Sequence, residues 1–464
     1  MKQVEKQETP APIFGRQMRS ADWLFDPAYT PLNHGSYGAF PRAVRKHQRD
    51  LEDRIEGRSD RCIRYVIPDL LEESRTALAP LLGASPDEVV LVPNATTAVN
   101  TVLRNLTYDD GDVILYFSTA YPACEKTIQY VCETTSAEPY PYHIKFPIED
   151  DDLIEEFKLC VEYLISTKRR VKIAMFDTIV TFPGVRMPWE RLVAACRELK
   201  ILSLIDGAHG VGHIDLTHLA SVAPDFFTSN CYKWLYTPRA CGVFYVPRRN
   251  QHLIRSTVPT SHGFLPRPAD CGGRAAAKAA QNRFVNLFKW VSTVDQTPYL
   301  CIPAALAYRR DVCGGEEAIM LYCHTLARDG GKRVAELLGT EVMDNETQTL
   351  SQCCFTTVRL PLELSAEKGP EVVKRIMENC MNCEDTWVPA KFYNGDVWIR
   401  LSAQVYLEMA DFEWAASVLQ KLCDEIKEEK CCDDDDAPAA YGDGRDSNAG
   451  DDEEEEEEDW SDDG

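Results

Sequence analysis

Two charged residues at the ends of apolar runs carry the strongest chemical signal in this chain. Leu202–Ile205 has the pattern of a buried strand and is closed by Asp206, in the run Asp206-Gly207-Ala208-His209. Asp225–Ser229 has a second strand pattern and leads into Asn230-Cys231-Tyr232-Lys233-Trp234. Adjacent strands ending in a carboxylate and an amine aim both groups at one small cavity. An amine held among aromatic residues has a lowered pKa, which suits it to hold an aldehyde as a Schiff base and to act as a base. A carboxylate opposite it keeps a pyridine nitrogen protonated. A pyridoxal phosphate cofactor requires this pair. Each residue alone has a plainer reading: Lys233 as a surface lysine, Asp206 as a helix cap.

Two further runs fit the same chemistry. Asn94-Ala95-Thr96-Thr97 opens a helix after a short strand, where unpaired N–H groups and hydroxyls suit a phosphate. The same run also reads as plain N-capping by Asn94 or Thr96. Arg400 lies inside the apolar run Val397–Leu401. A buried guanidinium needs an acceptor, and either a substrate carboxylate or an internal salt bridge would serve. His209, three residues after Asp206, is placed to meet the phenolic oxygen of the same ring.

The elements that must position these groups alternate. Strands are expected at 87–92, 112–117, 171–177, 201–206, 225–229 and 242–246, with helices at 42–82, 93–105, 122–132 and 189–200 between or before them. In the last helix Trp189, Leu192, Val193, Cys196 and Leu199 share one face. Alternation of this kind predicts an α/β fold with a mainly parallel sheet covered on both faces and ligands at the carboxyl ends of its strands. The pattern changes near residue 300. Strand-like 353–360 and 397–401 and helical 372–380 and 411–428 predict a small C-terminal α/β domain. The expected organisation is an N-terminal arm over 1–30, a large domain over 31–300, a small domain over 301–430 and an acidic tail over 431–464.

The chain has 464 residues and a formal net charge of −24, of which the tail, with 17 acidic residues and one arginine, carries −16. The body is therefore only mildly acidic, which argues against nucleic-acid binding. No apolar run is long enough to span a membrane, and the first residues, MKQVEKQETPAP, contain no apolar export core. A cytoplasmic enzyme is expected, with access to the nucleus left open, and the 18 cysteines are read as reduced thiols. Cys380 and Cys383 form one CxxC without a second ligand pair, so no metal site is expected.

In this order and spacing, the runs LNHGSYGAFP, VPNATTAVN, LIDGAHGVG, NCYKWLYTPRACGVFYV and IRLSAQVYLEMADFE resemble the class V aminotransferase superfamily of fold-type I pyridoxal phosphate enzymes. They look most like its isopenicillin N epimerase-like branch, which contains the fungal hercynylcysteine sulfoxide lyases. The resemblance spans about residues 30–428. It implies a seven-stranded, mainly parallel large domain and a homodimer. By position it implies Lys233 as the cofactor-binding and catalytic lysine, Asp206 at the ring nitrogen and His209 at the ring oxygen. Ala95, Thr96, Asn230 and Tyr232 would surround the phosphate, with Thr293 supplied by the partner subunit. Tyr121 would lie over the ring and protonate a departing sulfur. Arg400 would hold the carboxylate of an amino-acid substrate, and Asn33 and His34 would line the substrate mouth. Tyr232 departs from the family, which commonly has histidine before the lysine.

The implied reaction is β-elimination from a cysteine-derived sulfoxide, hercynylcysteine sulfoxide foremost. A cysteine desulfurase is the nearest rival, since Cys380 or Cys383 would have to carry a persulfide; epimerase or aminotransferase activity is a further rival. A non-enzymatic reading also stands: a decayed scaffold whose acidic tail binds basic partners.

Overall fold

The computed structural model describes residues 12–266 and 283–435. Nearly all of the acidic tail, from residue 436 onward, and residues 1–11 of the arm lie outside the described residues. The larger sheet has seven strands: β1 (Val89–Val92), β2 (Asp112–Phe117), β3 (Glu138–Tyr142), β4 (Arg170–Asp177), β5 (Leu202–Asp206), β6 (Phe226–Asn230) and β7 (Gly242–Tyr245). Their order is β1-β7-β6-β5-β4-β2-β3. β2, β3, β4, β5 and β6 run parallel, and β7 is antiparallel to both β1 and β6. β1 therefore points the same way as β6. The carboxyl ends of β1, β2, β4, β5 and β6 share one edge of the sheet.

The central strands are apolar on both faces because helices cover both faces. β1, β2 and β6 are buried along their whole length. The helix Trp189–Glu198 buries Trp189, Leu192, Val193 and Cys196 against this core, as its spacing predicts. β3, with sequence EPYPY, was not anticipated. It is an edge strand, half exposed, where proline costs no ladder hydrogen bond.

A second sheet follows: β8 (Phe355–Arg359), β9 (Ala390–Tyr393) and β10 (Asp396–Ser402), in the order β8-β10-β9 and antiparallel throughout. Helices Glu316–Leu338, Gly369–Cys383 and Met409–Asp435 accompany it. Arg400 sits in the middle strand, opposite Thr357 of β8.

Residues 12–30 are packed against the body and do not form a free arm. Trp23 is fully buried, edge-on to Tyr236 at 5.1 Å and to Tyr406 at 4.6 Å. Arg16 and Arg19 both pair with the buried Asp411. A large aromatic ring buries enough apolar area to hold the segment in place.

The turn-rich segment 31–41 lies directly against the lysine turn. Gly38 has φ +62°, and a Cβ there would collide with the carbonyl oxygen of Tyr232. Only glycine fits that conformation and that contact. Gly38→Ala is expected to lower stability by about 3 kcal/mol, the upper range for backbone strain at one residue. Chemical denaturation checks this, and an unchanged midpoint would refute the contact.

Candidate active site

Lys233 follows β6 in a single helical turn, Cys231–Trp234, and is 6% exposed. Three contacts fix this turn. His34 donates from Nε2 to the Lys233 carbonyl and accepts the Tyr406 hydroxyl at Nδ1, 2.7 Å away. Arg309, itself fully buried, donates to the Trp234 carbonyl at 2.7 Å and to Gly212 at 3.1 Å, and pairs with Glu316. Gly38 supplies the close approach described above. With its backbone held in this way, Lys233 places its Nζ beside the imidazole of His209.

Burial, and then the nearby Arg400, lower the Lys233 pKa to about 7, although Asp206 and Asp177 oppose the shift. A neutral amine at physiological pH suits both a nucleophile and a base. Its Nζ lies 3.4 Å from His209 Nε2. His209 is buried, and burial followed by the Lys233 charge holds its pKa well below the usual value. The imidazole is neutral.

Asp206 closes β5 and is 3% exposed. Its carboxylate accepts the Ala208 N–H at 3.0 Å and the Cys124 thiol at 3.4 Å. Asp177 closes β4 and is the register partner of Asp206. Burial raises the pKa of both carboxylates, and the Asp206 charge raises Asp177 further. Two buried carboxylates side by side do not both ionise. The donors from Ala208 and Cys124 place the charge on Asp206 and the proton on Asp177.

At the start of helix Ala95–Asn105, Ala95 donates its N–H to Asn230 Oδ1 at 2.8 Å, which joins the helix start to the end of β6. Asn94 caps that helix through Thr97 N–H at 2.8 Å, so the plain capping reading also holds. Thr96 and Tyr232 are half-buried beside them. Burial, followed by Tyr121 and Asp206, pushes the Tyr232 phenol up to about 12, so it is a donor. Tyr121 is the residue before helix Pro122–Glu133, at the carboxyl edge of β2, and is half-buried. Thr293 is exposed on a loop.

Arg400 is 1% exposed and lies over the Phe355 ring at 4.6 Å. It donates to the Thr181 carbonyl, to Asn33 Oδ1 at 2.9 Å and to Ser36 Oγ at 3.2 Å. Thr181 Oγ1 is in turn 3.4 Å from His209 Nε2. The guanidinium, the imidazole and the amine thus belong to one connected site.

His34 differs from its expected place. It is buried, both ring nitrogens are engaged, and burial drives its pKa down to about 3. It supports the backbone of Lys233 instead of lining a substrate mouth. Asn33 does reach Arg400. Thr181, Phe355, Cys124 and Arg309 were not singled out from the sequence. Asp177 is the last residue of the strand expected at 171–177.

The residues present fit pyridoxal phosphate. A buried amine and a buried, hydrogen-bonded carboxylate rise from neighbouring strands, and helix 95–105 starts beside them. Among the described residues no group of metal-ligating side chains occurs. No described helix is long and apolar enough to cross a membrane.

Comparison with known proteins agrees. The aminotransferase class-V family model matches residues 63–263. The L-cysteine desulfhydrase-like protein lolT1 of Epichloe uncinata is 37% identical, over 89% of this chain and 96% of that protein. The hercynylcysteine sulfoxide lyase of Schizosaccharomyces pombe is 29% identical, over 89% of this chain and 98% of that protein. Among solved structures, the cystine C–S lyase C-DES, in complex with its product cysteine persulfide, superposes with a TM-score of 0.67 at 15% identity. That match covers 87% of this chain and 99% of the other, and it bears on the fold. Pyridoxal phosphate is the cofactor of this protein, and the chain belongs to the class V aminotransferase family.

Proposed function

We propose that this enzyme is a carbon–sulfur lyase that acts by β-elimination on a cysteine-derived amino acid. The observation that carries the proposal is the connected set Arg400–Thr181–His209–Lys233, which joins a carboxylate anchor and a base by a short run of contacts. Full-length similarity to proteins named L-cysteine desulfhydrase-like protein and hercynylcysteine sulfoxide lyase supports it.

Bound pyridoxal phosphate supplies an acceptor for the electron pair left at the substrate's Cα. Asp206 keeps the ring nitrogen protonated, while Ala95, Thr96, Asn230 and Tyr232 surround the phosphate. Arg400 and Asn33 hold the substrate carboxylate. Lys233 removes the α-proton, and Tyr121 gives a proton to the departing sulfur. The three-carbon half leaves as aminoacrylate, which water converts to pyruvate and ammonia. From a sulfoxide, the sulfur half departs as a sulfenic acid.

The finer reading is hercynylcysteine sulfoxide as substrate. Its sulfenic acid product becomes ergothioneine on two-electron reduction by an external thiol. We also propose a homodimer, in which the exposed Thr293 reaches the partner's phosphate site. A desulfurase would need a mobile persulfide-bearing cysteine. Cys380 is instead buried in helix Gly369–Cys383, with its thiol pushed up to about 12 by burial and Glu384. Cys383, at the end of that helix, is the exposed cysteine among those described.

Product analysis with L-cysteine and with hercynylcysteine sulfoxide tests the reading. Pyruvate and ammonia are expected in equal amounts, with the sulfoxide giving the larger kcat/KM. Alanine together with an enzyme-bound persulfide would overturn the lyase proposal. Turnover of cysteine alone would overturn the finer one.

A further inference from the structure

Trp234 is the residue after Lys233 and is 1% exposed. Its indole Nε1 lies 3.2 Å from His209 Nδ1. An indole N–H is a donor only, and a neutral imidazole carries its proton on one nitrogen. His209 Nδ1 must therefore be the acceptor, and the proton must sit on Nε2. That nitrogen lies 3.4 Å from both Lys233 Nζ and Thr181 Oγ1.

We propose that Trp234 is a positioning residue that fixes His209 in the Nε2–H tautomer, making the imidazole a permanent hydrogen-bond donor into the cofactor cavity. The requirement is chemical. A donor aimed at a phenolic oxygen favours the ionised oxygen, whereas the opposite tautomer would present a lone pair and repel it. Free imidazole exchanges readily between its tautomers, so something must select one. The ring itself is held in place by Phe355, edge-on at 5.2 Å. Trp234 is pinned by the Arg309 contact to its own carbonyl and packs on His213 at a ring separation of 3.9 Å. One turn of chain therefore delivers both the amine and the group that sets its neighbour's proton. The charged and titratable groups facing His209 are Lys233, Arg400, His213 and His34, and all of them oppose a positive imidazole. Neutrality is thereby maintained, and the tautomer is the remaining variable.

The tautomer itself can be read without cofactor; the consequence for the ring oxygen rests on the cofactor assignment above. The test is nitrogen NMR of the cofactor-free chain labelled at histidine nitrogens. For His209 in the unaltered protein, the expected spectrum is a bare, pyridine-type Nδ1 and a proton-bearing Nε2. In Trp234→Phe both nitrogens should report a tautomer mixture. In the loaded protein, the pH midpoint of the cofactor's visible absorbance should rise by about one unit in Trp234→Phe, the loss of about one hydrogen bond. A proton found on Nδ1 in the unaltered protein overturns the proposal, and this holds even if the variant does not fold. An unchanged tautomer in a folded Trp234→Phe also overturns it. Failure to bind pyridoxal phosphate would sink the cofactor reading and leave the tautomer still measurable.

Discussion

Lys233→Met is expected to abolish turnover and, in the same protein, to stabilise the cofactor-free fold. The first effect follows from the amine's two proposed roles as cofactor anchor and base, and a loss of about 10⁴-fold in kcat/KM is expected. The second follows from its burial. An amine whose pKa falls from 10.5 to about 7 on folding opposes folding wherever it must be charged in the unfolded chain. The sign is fixed by the proton count. Below pH 7 the amine is charged in both states, and the folded chain bears the full cost. Between pH 7 and 10.5 the unfolded chain binds the extra proton, so the stability of the unaltered protein rises with pH. Above that range the cost is gone. The gain from Lys233→Met is therefore largest below pH 7, on the order of 5 kcal/mol, and shrinks steadily toward pH 10.5. Methionine fills a similar volume, so a cavity does not obscure the comparison. Denaturation of both proteins across this pH range checks it. A variant less stable than the parent at pH 6.5 would contradict the buried-amine geometry.

The two strand-end carboxylates should respond very differently to the same substitution. Asp206→Asn removes the charge that the proposed function sets against the ring nitrogen, and kcat/KM is expected to fall by about 10³-fold, as for loss of a key electrostatic contact. Asp177→Asn merely replaces a group that already holds a proton. Its effect should stay below about tenfold, within the value of one hydrogen bond. The asymmetry comes from the donors. Asp206 has the Ala208 N–H and the Cys124 thiol, so it is the better place for the negative charge. Steady-state kinetics of the two variants, with cofactor affinity measured separately, decides the matter. Equal losses would mean that the proton is shared evenly or sits on the other carboxylate.

Much of this site was legible in the sequence because its main groups close apolar strands. Lys233, Asp206 and Asn230 are each displayed by a local run, and the alternation of strands and helices places them at one edge. Arg400 stood out for a related reason, as a charge inside an apolar run. The supporting contacts were not legible, because they join segments far apart in the chain. Phe355 meets His209 and Arg400 only after the small sheet has docked. The role of His34 depends on Tyr406 and on the Lys233 carbonyl, neither of which its own neighbourhood reveals. Helix Glu316–Leu338 was missed for a local reason. Gly330 and Gly331 interrupt its pattern, yet side chains at those positions would collide with Phe412 and Thr356. The glycines mark close packing there, not a break. β3 was hidden by its two prolines and its half-exposed face.

The most direct measurement is reductive trapping of the loaded protein. The enzyme carrying pyridoxal phosphate is reduced with borohydride, digested and mapped by mass spectrometry. The expected result is a phosphopyridoxyl mass on the peptide that contains Lys233, absent from Lys233→Met. A mark on a different lysine, or no mark on a protein saturated with the cofactor, would contradict the assignment of the amine on which the site is built.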